Sequence, residues 1–524
     1  MKKWILKDRT QENIIDQLLE NRGIKNREQF FNPKYEDLAD PFLMKGVKKA
    51  VGRIRRARKI AIFGDYDADG VTGAIILKNL VESLKFQPIV YIPDRKKEGY
   101  GLNAKAIKEL AEQSADLIIT VDCGISDFTE VALANKLGID VIITDHHAIP
   151  EKLPDAFAII NPKQNNCSYP FKRLAGVGVA FVLARAFKFD FEKWLLDLVA
   201  IGTVADCMDL IGENRILVKY GLIVLEKTRN LGLRSILPSK IDARSIAFQI
   251  APRLNSAGRM DHANTSYQLL VSSSEKEVEK LAQKLEKNNQ HRQRETEKIL
   301  KEAREKINLD QKFIFAYNRN WLIGVIGLVA GKLCDEYHRP VVIIGEDAGS
   351  CRSIDAFNII EALTECSDFL VEFGGHARAA GFKIETNKIK IFEQKLEKIV
   401  EQKLKPEDLI CSLEIDAELQ TEEVGWGLYN QIQLFEPFGE GNPKPKFLLK
   451  NALIQDIRCV GNGNQHLRMS ASGFKAIGFN CAGYASHLKI GDKIDLVFEL
   501  EQDDWQGYKN LQLKIVDLRR SDVS

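Results

Sequence analysis

The chain has 524 residues, 45% hydrophobic and 28% charged, with a formal net charge of +2 and nine cysteines. Length and composition are those of a multi-domain globular protein, and the near-neutral balance excludes a polycationic chain, leaving any polyanion to a local groove. The cysteines form no CxxC pair, no apolar run reaches the roughly 18 residues of a membrane span, and the N-terminus turns polar too early for a secretory signal; a cytoplasmic protein with reduced thiols and no membrane contact is expected.

In chain order, the first marked segment is "KGVKKAVGRIRRARK" (45–59), with eight basic and no acidic side chains. It reads either as a solvated helix face or as a guide for a phosphate backbone. Short β-branched runs follow at "KIAIFG" (59–64), "PIVYIP" (88–93), "DLIITV" (116–121), "DVIIT" (140–144) and "AFAIIN" (156–161), separated by stretches of helical composition. This alternation predicts buried parallel strands with crossover helices. Residues 274–308 are charge-rich and lack Gly and Pro; an apolar stripe at Val278, Leu281 and Leu285 resumes at Ile299, Ala303 and Ile307 after a polar gap around Asn288 and Arg292. The segment predicts one helix some 50 Å long, read as a solvated connector between domains.

Strand candidates "KFIFAY" (312–317) and "PVVIIG" (340–345) open a second α/β unit, and "EPFGEGNPKPKF" (436–447) breaks regular structure. Short alternating segments from 448 onward suit a small β-barrel of OB type. The expected fold class is α/β: a parallel-sheet domain with an N-terminal extension over 1–270, a connector helix over 271–310, a smaller α/β domain over 311–402 and the barrel over 403–524.

The polar residues of interest lie just past the C-terminal ends of the first strands. Asp65, Asp67 and Asp69 follow the first, Asp122 the third, and Asp145, His146 and His147 the fourth. In an open parallel sheet, ligands bind at that edge, so separate loops converge on one site. Several aspartates within reach of one another cannot all ionise near neutral pH unless a cation sits among them. Carboxylates suit Mg²⁺ and Mn²⁺, and an imidazole favours Mn²⁺; Asp122 or Asp206 could bridge two ions, the arrangement used for in-line attack on phosphorus. Each motif alone has a plainer reading, since aspartates in "DADG" often form turns. The adjacent pair in "DHH", two of only eight histidines in the chain, is the stronger signal, and the joint pattern carries the inference.

"DYDADG", "VDCGIS", "TDHH" and "GTVADCMDL", in that order, resemble the four motifs of the DHH phosphoesterase superfamily, and "GSCRSI" (349–354) and "FGGHARAAGF" (373–382) resemble its associated DHHA1 domain. With "YIPDRKKEGYGLN" (91–103), "IAPRLNSAGRMDHA" (250–263), "GVIGLVAGKL" (324–333) and "EPFGEGNPKP" (436–445), nearly the whole chain is similar to the bacterial single-stranded-DNA-specific exonucleases of that superfamily. The resemblance implies processive 5′-to-3′ hydrolysis of single-stranded DNA to 5′-mononucleotides by a two-metal mechanism, in DNA repair and recombination. It further implies two Mn²⁺ (or Mg²⁺) ions as cofactors, and a DNA helicase and a single-strand-binding protein as partners.

Carried over position by position, it makes Asp67, Asp69, Asp122, His146 and Asp206 metal ligands, with Asp65 ligating directly or supporting a ligand. His147 faces the scissile phosphate, and Asp145 orients a histidine or caps the strand end. Arg95 and Arg259 contact phosphate, the terminal 5′ phosphate among the candidates, while Arg253 is a weaker candidate that a structural salt bridge would also explain. In the DHHA1 unit, Arg352, Ser353 and His376 face the catalytic sheet across a cleft, and Gly374 and Gly375 either admit a phosphate to backbone N–H groups or make a tight turn. Replacing Asp69 by Ala is expected to abolish hydrolysis with the fold intact. One departure stands before "GVIG", where the family's tryptophan-histidine pair is replaced by Trp321-Leu322-Ile323. In the barrel, Phe474, Trp505, Tyr508 and Lys509 are candidates for stacking and backbone contacts, though nine basic against nine acidic residues from 451 onward leave no strong electrostatic footprint. Two rivals are a phosphodiesterase for oligoribonucleotides or cyclic dinucleotides and a non-catalytic DNA-binding scaffold.

Overall fold

The computed structural model describes residues 2–95, 97–503 and 509–521. They divide into two compact units, one of residues 39–208 and 220–411, the other of 2–38, 209–219 and 412 onward.

The first unit holds two α/β bodies. One is a five-stranded sheet of β1 (Ile60–Gly64), β2 (Ile89–Tyr91), β3 (Leu117–Val121), β4 (Asp140–Thr144) and β5 (Ala158–Ile160), in the order β2-β1-β3-β4-β5. Every pairing is parallel. The β-branched runs form strands here because both faces are covered: β1 and β3 are buried at every position. Register then fixes the site. Gly64 pairs with Val121, Val121 with Thr144 and Thr144 with Ile160, so the strands end in line. The next residues, Asp65, Asp122 and Asp145, each donate a backbone N–H to the last carbonyl of the neighbouring strand. Carboxylates distant in sequence are thereby set side by side.

Helices α1 (Ala68–Ser83), α2 (Gly176–Arg185), α3 (Leu196–Ala205) and α4 (Ala251–Met260) complete the surroundings of that edge. Helix α5 (Glu275–Arg304) follows, 30 residues and thus about 45 Å long. It is a packed scaffold and not a solvated rod: Val278, Leu285, Asn289, Thr296, Ile299, Leu300 and Ala303 are buried. Its C-terminal part enters the core of the second α/β body, and Glu302 accepts the indole N–H of the buried Trp321 at 2.7 Å. The basic run 45–59 divides in the same way. Arg53 is buried against the carboxylates of Asp140 and Asp116, whereas Lys48, Arg55, Arg56 and Arg58 are exposed, as on a solvated helix face.

The second body of this unit has β6 (Ile314–Asn318), helix α6 (Ile323–Tyr337), β7 (Val341–Gly345), β8 (Ala348–Arg352), β9 (Leu370–His376) and β10 (Ala379–Ile384). Its sheet order is β9-β10-β8-β7-β6, with β9 an exposed edge.

In the second unit, β11 (Phe447–Val460), β12 (His466–Ala471), β13 (Phe474–Gly478), β14 (Lys493–Asp503) and β15 (Asn510–Arg520) pair in the order β11-β12-β13-β15-β14. Antiparallel pairing of β14 with β11 closes the barrel, whose alternating inward residues, among them Leu467, Met469, Leu496 and Phe498, form the core. Phe474 packs against that core, Lys509 is exposed, and Trp505 and Tyr508 lie outside the described residues.

Candidate metal centre and phosphate cleft

Asp67 opens the site. As the N-cap of α1 it accepts the backbone N–H groups of Asp69 and Gly70 through Oδ1, at 2.9 and 3.1 Å. The turn-forming and metal-site readings of "DADG" are thus compatible, since one carboxylate oxygen caps the helix and the other remains. Asn255 Oδ1 accepts the N–H of Ala68 at 2.7 Å, anchoring the same helix start to α4. Asp69 is buried and accepts the N–H groups of Gly176 and Val177, at 2.7 and 2.8 Å, which pins the first turn of α2. Asp122 sits at φ +60 beside Gly176. A Cβ at position 176 would stand 2.5 Å from that of Asp122, so glycine permits the approach.

Three sets of side chains bring ligand atoms within 4.8 Å of one another: Asp65, Asp67 and Asp122; Asp69, His146 and Asp206; and Asp122, His146 and His147. His146 Nε2 lies 3.1 Å from Asp122 Oδ1 and 3.4 Å from an Asp206 oxygen. Asp65 Oδ1, Asp122 Oδ1 and both ring nitrogens of His146 are buried without a hydrogen-bond partner. Buried polar atoms are normally paired, and this donor set of carboxylates and one or two imidazoles fits a divalent cation.

The electrostatics agree. Burial and the neighbouring aspartates raise Asp65 and Asp122 well above the carboxylate range, push Asp206 up to about 9 and push Asp69 up to about 7. Burial, with the charge of His147, lowers His146 to about 3, so its imidazole is neutral, as a ligand must be.

Asp145 is fully buried and accepts from the backbone of Ile125, His146 and His147 and from His147 Nδ1. Orienting and capping readings therefore both describe it. Burial opposes charge on both members of the pair, but their mutual hydrogen bond and attraction prevail, lowering the Asp145 pKa and raising that of His147. Tyr100, which the sequence reading did not single out, places its hydroxyl 2.9 Å from the Asp122 carbonyl and 3.1 Å from His147 Nδ1.

A cavity of about 320 Å³ opens on this cluster, and Asp67, Asp206, Tyr100, His147, Arg95 and Arg259 are among its lining residues. Arg95 lies over the Tyr66 ring. Burial, then the guanidinium groups of Arg95, Arg292 and Arg352, lowers Arg259 to about 10. Positive charge thus gathers beside the acidic cluster.

The structure does not bring every expected residue into this cleft. Ser353 is buried and its hydroxyl donates to the Phe357 carbonyl at 2.6 Å, so it organises its own loop. Ser350 shares a strand face with Arg352 two residues later, and its hydroxyl lies 3.5 Å from the guanidinium. Gly374, Gly375 and His376 lie on the exposed edge strand β9 and do not line the cavity. At Gly375, φ is +142 and a Cβ would collide with the Ala379 carbonyl, which accounts for this glycine by the β9–β10 turn. Arg253 pairs with Glu286 at 2.7 Å, the structural salt bridge. Asp69→Ala would remove two hydrogen bonds to α2, so its loss of hydrolysis is expected to come with a cost in stability.

Comparison with known proteins gives three family matches: the DHH family N-terminal domain over residues 59–203, the DHHA1 domain over 310–402 and the RecJ OB domain over 415–517. The single-stranded-DNA-specific exonuclease RecJ of Bacillus subtilis is 40% identical over 530 residues, covering 96% of this chain and 67% of the relative. That of Haemophilus influenzae is 32% identical, covering 96% and 95%. Among solved structures, RecJ in complex with Mn²⁺ from Thermus thermophilus superposes with a TM-score of 0.88 at 27% identity, over 99% of this chain and 79% of that one. An exonuclease RecJ bound to manganese matches with a TM-score of 0.63 at 32% identity, over 68% and 95%.

Proposed function

The chain belongs to the RecJ family of single-stranded-DNA-specific exonucleases, and on that premise we propose that it hydrolyses single-stranded DNA from the 5′ end, releasing 5′-mononucleotides. The observation that carries this reading is the pair of ligand sets, Asp65/Asp67/Asp122 and Asp69/His146/Asp206, at one strand edge, with arginines at the same cavity.

The ligand sets would hold two divalent ions, Mn²⁺ or Mg²⁺, which supply Lewis acidity and a water of lowered pKa. Asp67 and Asp69 present their carboxylates from the N-cap and the first turn of α1, Asp122 and His146 from adjacent strand ends, and Asp206 from the end of α3. His147, held through Nδ1 by Asp145, turns its other nitrogen toward the reacting phosphate and donates a hydrogen bond to the charge that develops there. Arg95, Arg259 and Arg352 bind substrate phosphates, for which their planar forks are suited. The setting is DNA repair and recombination in the cytoplasm, where a helicase and a single-strand-binding protein would deliver the strand. Among the described residues, no helix is long and apolar enough to cross a membrane.

The test is a time course with Mn²⁺ on a 5′-phosphorylated single-stranded DNA labelled at its 3′ end, beside a duplex, an RNA and a cyclic dinucleotide. Mononucleotides released from the 5′ end, with the label kept on a shortening single strand, are expected. Cleavage of the RNA or the cyclic dinucleotide alone would remove the substrate assignment, and no cleavage of any of the four would remove the enzyme.

A further inference from the structure

The polar gap in α5 has no role in the packing just described. The helix buries Leu285 before it and Ile299 and Leu300 after it, yet between them it buries Asn289 and half-buries Asn288 and Arg292. Leu285, Asn289, Arg292 and Thr296 recur at helical spacing and share one face. That face meets α4, since Ser256 donates to the Leu285 carbonyl and Arg253 pairs with Glu286. Arg259 lies one turn beyond Ser256 on α4, within electrostatic reach of Arg292.

Two details separate this gap from an ordinary polar surface. Arg292 directs Nε and Nη2 onto Asn289 Oδ1, at 3.2 and 2.8 Å, so a buried amide fixes the plane and direction of its fork. One turn earlier, Asn288 Nδ2 is buried with no hydrogen-bond partner. Meanwhile Arg95, Arg259, Arg292 and Arg352 interact electrostatically, and none of them forms a salt bridge among the described residues. The carboxylates of Asp65 and Asp67 offset part of the charge on Arg95 and Arg259, but guanidinium groups that gather still repel one another, and an oriented fork beside a spare amide donor is complementary to a phosphate.

We propose that Arg292 and Asn288 of α5 bind a phosphate of the DNA strand beside Arg259, with Asn289 as the positioning residue that holds the Arg292 fork in place. This rests on the reading of the chain as a single-stranded-DNA exonuclease and adds a contact from the helix that joins the two α/β bodies. Because α5 also enters the second core, the same contact links substrate engagement to both bodies.

The experiment compares the full-length wild type with Arg292→Met on a 5′-phosphorylated oligonucleotide, measuring KM, kcat and the salt dependence of binding. Loss of one charge-assisted phosphate contact is expected to raise KM about tenfold, with a much smaller change in kcat. The slope of log K against log salt is expected to shrink by about 0.7, the value for one phosphate on a single strand. An unchanged KM and slope in a folded variant overturns the inference while leaving the exonuclease reading in place; a wild type that neither binds nor degrades the strand overturns both. Should Arg292→Met fail to fold, Arg292→Lys decides. Retained charge with a lost fork raises KM about threefold if the fork binds phosphate, and an unchanged KM overturns the inference.

Discussion

Asp145 Oδ1 lies 2.8 Å from His147 Nδ1, and the same oxygen accepts the backbone N–H of both His146 and His147. One buried carboxylate therefore fixes the loop and the ring together. The raised pKa of His147 and lowered pKa of Asp145 mean that their ion pair stabilises the folded chain between those limits. It is lost as pH falls through the lowered Asp145 value and as pH rises through the raised His147 value.

Asp145→Asn is accordingly expected to lower kcat by about 10²-fold or more, by analogy with other oriented imidazoles. The alkaline limb of the pH–rate profile should move to lower pH because His147 loses its charged partner. A profile of unchanged shape would show that Asp145 acts on the loop alone.

Asp206 and Asp69 separate ligation from folding. Asp206→Asn should abolish Mn²⁺ binding at one site, read by calorimetric titration, and leave the melting temperature of the metal-free protein unchanged or higher. Asp69→Ala should also abolish hydrolysis, but with a cost in stability of about 1–3 kcal/mol from the unpaired amides of Gly176 and Val177. Equal stability of the two variants would contradict the capping role.

Metal affinity should depend on pH in a defined direction. With Asp206 at about 9 and Asp69 at about 7 in the absence of a cation, the folded protein holds protons that the unfolded chain has released. Their favourable contribution is complete below the ordinary carboxylate value of about 4 and is lost as pH rises through the folded values. Metal-free wild type should therefore lose stability relative to Asp206→Asn as pH rises. Mn²⁺ affinity should increase over the same interval, with proton release visible as a buffer-dependent heat; an affinity independent of pH would contradict the burial of the carboxylates.

Ser350 and Ser353 make a matched pair. Ser353→Ala should reduce stability by about 1 kcal/mol, through its lost bond to the Phe357 carbonyl, with KM unchanged. Ser350→Ala should raise KM severalfold with stability unchanged. The reverse result would return Ser353 to the cleft.

The parallel sheet was legible because its strands are continuous apolar runs, and their ends align through hydrogen-bond register, so "DYDADG", "VDCGIS" and "TDHH" could be placed at one edge before any coordinates. The helix over 275–304 was legible from composition, but its packing was not, since burial of Asn289 and Thr296 depends on neighbours supplied by α4 and the second body. Tyr100 escaped because a single tyrosine in a loop carries no periodic signal; only the fold brings it to His147. Ser353 came from the resemblance of "GSCRSI" to the DHHA1 domain, and that its hydroxyl turns to the Phe357 carbonyl depends on the fold of the loop that follows. The double duty of Asp69 was likewise hidden, because its amide partners lie more than a hundred residues away.

That double duty changes what chelation does to the molecule. With no cation, burial and the charge of Asp67 push Asp69 up to about 7, and a protonated carboxyl is a poorer acceptor for the amides of Gly176 and Val177. Emptying the site is therefore expected to loosen the first turn of α2, and faster hydrogen–deuterium exchange at those two amides on chelation is the measurement that checks it.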